Sequence, residues 1–449
     1  MNKFNTFYFE KFDFDSTSLK AKFFYSFDKK ERFEEIIDFK NEFFQIEKKL
    51  NKKIINNILF SIHIALWISY YKLFPTKELV VESGYLSNSQ IAFWQKFYKN
   101  WLWEFLYKNK ISPKWLFSFK IQQTFTLGIE KFSLDSKKAL VPVWWWKDSI
   151  VTIELLKEAG IDFDLFVFWK SDILKENTAK ISWKKILLIK RYLSENLFNL
   201  NKSWYYNWHV PITWIIAFVM LFVAYIYDYK YLILSNELSA NCWNTIWEDF
   251  EINHQYSKSL EFEKDFKKYV EENISNDVKY FSLLRGMYEY KIAQIFSKKA
   301  KKYFSSFSSC NANFKILEKW NKNSFWCNNC PKCAFVYTIL SGFLNREELV
   351  KIFWEDLYQK KSLEKLFREL LGIDWIKPFE CVGEKEEVVL WMYNALKNYN
   401  SWNEPYILQI FKKEVLKKLD ENYLKNLEKK LLKVYDDDII PLNFKKYLI

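Results

Sequence analysis

The most constraining feature of this sequence is a run of three tryptophans between a predicted strand and a predicted helix. The stretch reads "ALVPVWWWKDSIVTIELLKEAG" and covers residues 139–160. Residues 139–143 are a short apolar run typical of a buried strand, and apolar residues then recur at helical spacing from Ser149 until Gly160. A second apolar run, "DFDLFVF" at 162–168, predicts another strand. Strand, turn, helix and strand together predict a βαβ unit of a parallel sheet.

The tight turn of such a unit is a poor place for tryptophan. Backbone N–H groups in a strand-to-helix turn point outward and, with the positive end of the helix, commonly hold phosphate. This arrangement favours glycine, because a Cβ restricts the backbone angles and blocks the close approach of a ligand. The chain has 21 Trp and only 7 Gly in 449 residues, whereas average usage predicts about 30 Gly.

Tryptophan also occurs at other positions where turn chemistry favours glycine, in the segments 180–185, 201–214, 241–250 and 372–379. We therefore hypothesise that many of these tryptophans are glycines in the native protein. Their codons would be UGA, read as glycine in the source lineage and as tryptophan in this translation. Trp94, in "AFWQKFY", is instead a candidate for a genuine tryptophan. The alternative is a protein that is truly rich in tryptophan.

With glycine at 144–146 the loop reads "VPVGGGKDSIVTIELL". This segment resembles the phosphate loop of N-type ATP pyrophosphatases, SGGxDS after a strand, and it lacks the GxxxxGK[ST] spacing of a Walker A loop. The resemblance implies cleavage of ATP between the α and β phosphates, which gives AMP and pyrophosphate. It also implies that Lys147 neutralises phosphate charge and that Asp148 orients the loop or a Mg²⁺. The implied phosphate-binding residues are Trp144, Trp145, Trp146, Lys147, Asp148 and Ser149.

Length and charge narrow the class of protein. A chain of 449 residues predicts two or three domains. The net charge of +13 suggests a nucleic-acid partner. However, only five of the 68 basic residues are arginines, and the lysines are mixed with acids along the chain, which is typical of a solvated surface. We therefore predict no nucleic-acid partner, and the absence of a signal-peptide pattern predicts a cytoplasmic protein.

One apolar segment has the length of the shortest membrane spans, "VPITWIIAFVMLFVAYIY" at 210–227. It runs directly into "DYKYLILSNE" at 228–237, which predicts a buried strand. A core helix that feeds a parallel strand explains both segments. We therefore predict no membrane partner.

The chain divides into three predicted parts. Residues 1–135, rich in Phe, Tyr and Lys, predict an N-terminal α+β domain. Residues 136–345 carry the βαβ pattern and a cysteine knuckle, and 346–449 predict a helical C-terminal region. The predicted fold class is α/β. With the phosphate loop, the core is expected to be a parallel sheet similar to the ATP pyrophosphatases and adenine nucleotide alpha hydrolases.

The cysteines predict a metal site. Three of the six lie in "CNNCPKC" and a fourth lies shortly upstream, so the predicted ligands are Cys310, Cys327, Cys330 and Cys333. Four thiolates with this spacing suit a tetrahedral structural Zn²⁺. An iron–sulfur cluster is the alternative, because CxxCxxC also suits clusters. Cyano-deazaguanine synthases, also pyrophosphatases of this type, are similar in pairing a phosphate loop with a four-cysteine zinc site.

Further stretches point to a narrower family. They are "NWHVPIT" (207–213), "LILSNELSANCWN" (232–244), "EINHQYSKSLEFEKDF" (251–266), "YFSLLR" (280–285), "FSSCNANF" (307–314), "CNNCPKCAFVY" (327–337) and "KPFECVGE" (377–384). Together with the phosphate loop, they resemble the UDP-N-acetylmuramoyl-L-alanyl-L-glutamate epimerases over about residues 90–390. The resemblance implies ATP-dependent inversion of the terminal glutamate of UDP-MurNAc-L-Ala-L-Glu through an acyl-adenylate, for peptidoglycan synthesis. The implied partners are therefore this dipeptide precursor and ATP with Mg²⁺.

Within that resemblance, the catalytic candidates are side chains that titrate near neutral pH. His254 and Cys381 are the candidate bases on opposite faces of the substrate, and His209 is the third candidate. The predicted substrate-binding residues are Lys258, Arg285, Asn236 and Glu237, and the acidic candidates for Mg²⁺ are Glu237, Glu261 and Glu263. His63 lies in the apolar stretch "LFSIHIALW", which predicts a structural role.

Two other functions stay open. One is a pyrophosphatase of the same fold that modifies tRNA or a nucleobase. The other is an inactive scaffold, which follows if the tryptophans of the loop are genuine. The oligomeric state is not determined by the sequence.

Overall fold

The structure is a computed structural model of the chain. It describes residues 4–110, 118–121, 130–144, 146–203, 205–207, 210–241, 245–247, 250–253, 255–310, 325–373, 384–399 and 404–448. All structural statements below concern these residues.

Twelve strands form among the described residues. They are β1 (Thr6–Asp15), β2 (Lys20–Phe27), β3 (Glu31–Asp38), β4 (Glu78–Val81), β5 (Ser118–Ile121), β6 (Ala139–Pro142), β7 (Phe163–Trp169), β8 (Ile186–Tyr192), β9 (Tyr231–Leu234), β10 (Thr245–Trp247), β11 (Phe250–Ile252) and β12 (Lys279–Ser282). Ten of them make one sheet in the order β12-β9-β6-β7-β8-β3-β2-β1-β4-β5, and β10 pairs with β11.

The half of the sheet from β12 to β8 is parallel throughout. In chain order these five strands run β6, β7, β8, β9 and β12, so their spatial order is 5-4-1-2-3, that of a doubly wound sheet. β6 is buried along its whole length, as expected of a strand that is covered on both faces. The predicted α/β class with a largely parallel sheet is therefore confirmed.

The N-terminal half of the sheet is mixed. β1, β2 and β3 are antiparallel, β4 and β5 add parallel to β1, and β3 joins the core by antiparallel pairing with β8 through Ile36 and Tyr192. One continuous sheet therefore crosses the predicted boundary at residue 135. That boundary stays a prediction.

Sixteen α-helices complete the described chain. They are α1 (Lys52–Leu66), α2 (Ile68–Tyr71), α3 (Asn88–Asn109), α4 (Lys147–Glu158), α5 (Ile173–Ser182), α6 (Glu195–Asn201), α7 (Ile212–Tyr227), α8 (Leu260–Asn273), α9 (Glu289–Lys299), α10 (Pro331–Ser341), α11 (Arg346–Phe353), α12 (Glu364–Leu370), α13 (Lys385–Asn398), α14 (Tyr406–Glu414), α15 (Glu421–Leu432) and α16 (Leu442–Lys445). The region after residue 345 is helical as predicted, and it shares a hydrophobic core with α4, α9 and α10.

The apolar segment before β9 is a core helix. α7 is buried over nearly its whole length and leads into β9, which confirms this part of the prediction. Among the described residues, one longer stretch, Lys52–Tyr71, is long and apolar enough to cross a membrane. It is 89% buried inside the protein, where α1 packs against α7, so both apolar segments belong to the core.

Three tryptophans have backbone angles that favour glycine. Trp183 and Trp354 follow α5 and α11 in the left-handed region, with φ of 61° and 64°, and Trp169 at the end of β7 has φ of 86°. Helices commonly end on glycine in this conformation, because a Cβ is strained there. The two helix-end indoles are 90% and 77% exposed, so packing does not compensate the strain. These positions support the hypothesis of glycine read as tryptophan.

Trp94 differs from them in backbone conformation and in burial, because it lies inside α3. Its side chain is fully buried and stacks on Phe218, with ring centroids 4.9 Å apart. Stacked aromatic pairs of this kind add to the free energy of burial. The packing supports the interpretation of Trp94 as a genuine tryptophan.

His63 is fully buried, in accord with the structural role predicted for it. One ring nitrogen, Nε2, lies 3.2 Å from the carbonyl oxygen of Phe24, and Nδ1 lies 3.0 Å from Ser83 Oγ. Burial lowers the pKa of His63 from 6.5 to about 3, because the charged ring loses its hydration.

This lowered pKa predicts acid sensitivity. The unfolded chain binds a proton at His63 below about pH 6.5 and the folded chain does not, so stability is lost as the pH falls from 6.5 towards 3. Between pH 7 and pH 5 we expect His63 alone to lower the free energy of unfolding by about 2 kcal/mol. Urea unfolding of the unchanged chain and of His63→Gln at both pH values measures this difference. An equal pH dependence in the two proteins would contradict it.

Candidate active site

A cavity of about 380 Å³ lies at the carboxyl ends of the parallel strands. It is lined by the loop after β6 and by residues 234–237 at the end of β9. β6 and β9 are neighbours in the sheet, and the chain leaves them towards opposite edges. Ligands of open α/β sheets bind in the crevice at such a reversal of strand order. The cavity is therefore the candidate active site.

The cavity has one apolar wall and one polar wall. The apolar wall comes from the start of α7, including Ile212 and Ile216, and from Phe335 and Ile339 of α10. The polar wall contains six of the predicted site residues, which are Lys147, Asp148, Ser149, Asn236, Glu237 and Lys258. Pockets of this mixed kind hold small molecules through apolar packing and a few placed polar groups.

The loop after β6 is closed by the hydroxyl of Ser149. Its Oγ lies 2.7 Å from the carbonyl oxygen of Trp144 and 3.0 Å from that of Trp146, so it donates within the loop. Trp146 is the N-cap of α4 but makes no capping hydrogen bond with its side chain. The helix N-terminus and the indoles of Trp144 and Trp146 therefore share the same part of the cavity.

Lys147 is held between two carboxylates. It is only 4% exposed, and its Nζ donates to Asp148 and to Glu289 of α9. Burial disfavours the charged ammonium, but the two carboxylates outweigh burial and raise the pKa of Lys147. The ammonium is therefore kept charged in the wall of the cavity.

Glu289 is one of the cavity residues that the sequence analysis did not predict. Burial raises the pKa of its carboxyl group, the negative charges of Asp148 and Glu237 add to this, and Lys147 opposes it. The pKa values of Lys147 and Glu289 are thus both raised, whereas a simple ion pair would lower the pKa of the carboxyl group. One ammonium faces two carboxylates here, so the pKa of the more buried carboxyl group is raised although Lys147 is its neighbour. A usable signal was present, because Glu289 follows the carboxyl end of β12 at the same sheet edge.

Arg285 lies behind the cavity. It is fully buried and pairs with Glu263, with Nη2 2.6 Å from Oε1. It also donates to the backbone carbonyl oxygens of Glu237 and Lys258, at 2.9 and 2.7 Å. Asn236 donates to the same Glu263 carboxylate. These contacts position the segments that line the cavity, and a direct contact of Arg285 with substrate stays a prediction.

The acidic candidates for Mg²⁺ separate in the structure. Glu237 lines the cavity, whereas Glu263 is the buried partner of Arg285. Glu261 forms a surface ion pair with Lys96 at 2.7 Å. Of these three residues, Glu237 is therefore placed to meet a cavity ligand.

Four of the predicted site residues, His254, Cys381, His209 and Trp145, lie outside the described residues. Their roles stay predictions.

The four predicted metal ligands come together. The Sγ atoms of Cys310, Cys327, Cys330 and Cys333 all lie within 4.8 Å of one another. Sulfur–sulfur distances of 3.8 Å (Cys327–Cys333) and 3.5 Å (Cys330–Cys333) are close to the edge of a tetrahedron with Zn–S bonds of about 2.3 Å. The cluster therefore fits a single metal ion, with zinc as the best match. It adjoins the cavity, because Ser309 and Lys332, the neighbours of Cys310 and Cys333, line it.

Comparisons with known proteins identify the family of the chain. A model of the MurL N-terminal domain matches residues 1–283, and a model of the MurL C-terminal domain matches residues 306–426. A protein from Xanthomonas oryzae pv. oryzae, named UDP-N-acetyl-alpha-D-muramoyl-L-alanyl-L-glutamate epimerase, is 31% identical over 374 residues, which are 83% of this chain and 82% of that protein. A protein of the same name from Salinispora tropica is 30% identical over 409 residues, 90% of this chain and 87% of that protein. The chain therefore belongs to the MurL family.

Proposed function

We propose that this protein inverts the terminal L-glutamate of UDP-MurNAc-L-Ala-L-Glu to D-glutamate and cleaves ATP to AMP and pyrophosphate. The main support for this proposal is the match to both MurL domain models, together with about 30% identity to proteins named as epimerases over most of the chain. The product would supply D-glutamate to the peptidoglycan precursor. The supply of ATP makes the cytoplasm the expected location.

The chemistry explains the need for ATP. Removal of the Cα proton beside a free carboxylate places a second negative charge next to the first. In the proposed route a glutamate carboxylate oxygen attacks the α-phosphorus of ATP, and pyrophosphate leaves. The acyl-adenylate then loses its Cα proton to a base and regains one from the opposite face. Water hydrolyses the adenylate, which releases AMP and the D-glutamyl product.

The two walls of the cavity support this proposal. The apolar wall of α7 and α10 can pack against a planar base, and the polar wall offers Lys147 and Lys258 to phosphate oxygens. Asp148 and Glu237 present carboxylate oxygens to the same cavity, the ligand type that Mg²⁺ prefers. When bound there, Mg²⁺ would neutralise polyphosphate charge beside these two acids.

Proton transfer needs two groups on opposite faces of Cα. We retain His254 and Cys381 as the candidate pair and His209 as the third candidate. Glu289 is added as a candidate acid, because its carboxyl lines the cavity and its raised pKa keeps a proton near neutral pH.

The test is formation of D-glutamate. The chain made with glycine at 144–146 is incubated with ATP, Mg²⁺ and UDP-MurNAc-L-Ala-L-Glu, and the hydrolysed product is separated by chiral chromatography. We expect D-glutamate only when ATP is present, with AMP and pyrophosphate as coproducts.

Absence of D-glutamate from a folded, ATP-binding protein would contradict the proposal. AMP release with a tRNA or a deazapurine would then support the nucleobase-modifying alternative. Absence of ATP binding even with glycine in the loop would support the inactive scaffold.

A further inference from the structure

We propose that Lys332, which the cysteine cluster carries into the cavity, binds the polyphosphate of the nucleotide, so that metal binding and nucleotide binding are coupled. The proposal rests on the proposed function in taking ATP as the source of the polyphosphate, and it takes residue 146 as glycine. It assigns a ligand role to a residue in the spacer of the CxxC motif rather than to the phosphate loop.

Lys332 is positioned by its place in the sequence. It lies between Cys330 and Cys333, in the first turn of α10, with Cys330 as the N-cap of the helix. The side chain is 8% exposed and lines the cavity, although the motif itself faces the metal cluster. The backbone of Lys332 is therefore held between two predicted metal ligands, Cys330 before it and Cys333 after it, while its side chain reaches the proposed nucleotide site.

The indole of Trp146 marks the position of the expected anion. Lys332 Nζ lies 5.3 Å from the centroid of this ring, and Lys258 Nζ lies 4.5 Å from it. Lysine ammonium groups are drawn to the electron-rich face of an indole as they are drawn to an anion. Two cations from separate segments of the chain thus converge on one group at the N-terminus of α4.

With glycine at 146 the indole is absent and the same space lies open to a ligand. That space is bounded by Lys258, by Lys332 and by the N-terminal turn of α4, which favours negative charge. Lys147 donates to Asp148 and Glu289 in the same cavity. Phosphate groups in the vacated space would lie within reach of Lys332 and Lys258, whose Nζ atoms lie over the ring of Trp146.

Burial adds a second reason. Lys332 also lies 5.9 Å from the ring centroid of Phe335, so its ammonium sits among aromatic side chains. A buried ammonium loses hydration, and an anion bound beside it restores favourable interactions.

The experiment uses the full-length, zinc-loaded chain with glycine at 144–146 and inorganic pyrophosphate as the probe. Isothermal titration calorimetry compares this parent with Lys332→Met and with Lys360→Met. Lys360 is the matched control, because its Nζ donates to the Asn328 carbonyl in the same knuckle at 3.2 Å and does not line the cavity. We expect about tenfold weaker binding for Lys332→Met and unchanged binding for Lys360→Met.

The coupling has its own measurement. Because linkage is reciprocal for binding free energies, pyrophosphate should raise the affinity of the parent for zinc, measured at equilibrium in competition with a colorimetric chelator. Pyrophosphate should raise the zinc affinity less in Lys332→Met than in the parent. Binding of zinc by free pyrophosphate is equal in both samples, so it does not contribute to this difference. Zinc content and thermal melting of each variant confirm that it is folded.

Pyrophosphate binding that is equally tight in the parent and in Lys332→Met would overturn the proposal. Lack of pyrophosphate binding by the folded parent would overturn it as well. Lysine-dependent pyrophosphate binding without any D-glutamate formation would uphold this site and refute the epimerase activity. D-glutamate formation together with unchanged pyrophosphate binding in Lys332→Met would support the epimerase activity and refute this site.

Discussion

ATP should bind about a hundredfold more tightly to the chain with glycine at 144–146 than to the chain with tryptophan there, as the loss of two or more charge-assisted hydrogen bonds predicts. The indoles of Trp144 and Trp146 line the cavity, and Trp146 lies at the helix end that would face phosphate. Each Cβ also keeps phosphate oxygens away from the loop amides. Equilibrium dialysis with labelled ATP measures both affinities.

Trp183→Gly is the matched control for this prediction. It relieves a left-handed backbone at an exposed helix end, far from the loop in sequence, so it should stabilise the protein by about 1 kcal/mol and leave ATP affinity unchanged. Equal ATP affinity for the two loop sequences would show that the indoles do not obstruct the site. Mass spectrometry of the native peptide that covers residues 139–147 tests the codon hypothesis directly, and three tryptophans in that peptide would refute it.

Loss of the metal should cause the largest change in stability. With Cys327→Ser we expect the bound zinc to fall from one per chain to near zero. The free energy of unfolding should fall by about 3–5 kcal/mol, because zinc binding contributes directly to folding and loss of a metal is among the most damaging changes. Cys330 is the N-cap residue of α10, and α10 packs against α13 in the hydrophobic core that the C-terminal helices share with α4 and α9. Urea unfolding and elemental analysis measure the two effects.

Chelation and reloading serve as the control. Treating the unchanged chain with a zinc chelator should produce the same loss of stability, and added Zn²⁺ should reverse it. If the purified protein contains iron and shows a visible absorption band, the four cysteines hold an iron–sulfur cluster and not zinc. Unchanged stability after complete removal of metal would show that the four thiols pack without an ion.

Patterns local in the sequence were enough for several features. The alternation of apolar runs and helical spacing predicted β6, α4 and β7, and the apolar segment before β9 was correctly predicted as a core helix. The four cysteine ligands were also predicted together, because metal-ligand spacing is written in the sequence. Such patterns succeed because hydrophobic period and ligand spacing depend on near neighbours in the chain.

The sequence could not predict contacts between residues that lie far apart in the chain. Lys147 and Glu289 meet across 142 positions, and no local pattern relates them. Arg285 had the charge expected of a substrate ligand, but the structure buries it against Glu263 as a support for Glu237. Whether a basic or acidic side chain binds substrate or supports the fold depends on which residues surround it in the folded chain.

By itself, the sequence determined the βαβ core, the position of the loop between β6 and α4, the clustered cysteines and the family resemblance. Each of these depends on residues close together in the chain or on whole motifs. Only the tertiary structure decided that one sheet crosses residue 135, that Glu289 and Lys332 enter the cavity, and that Glu261 lies outside it. The reason is that burial and charge pairing arise from elements brought together by packing, and these contacts set which side chains face the ligand.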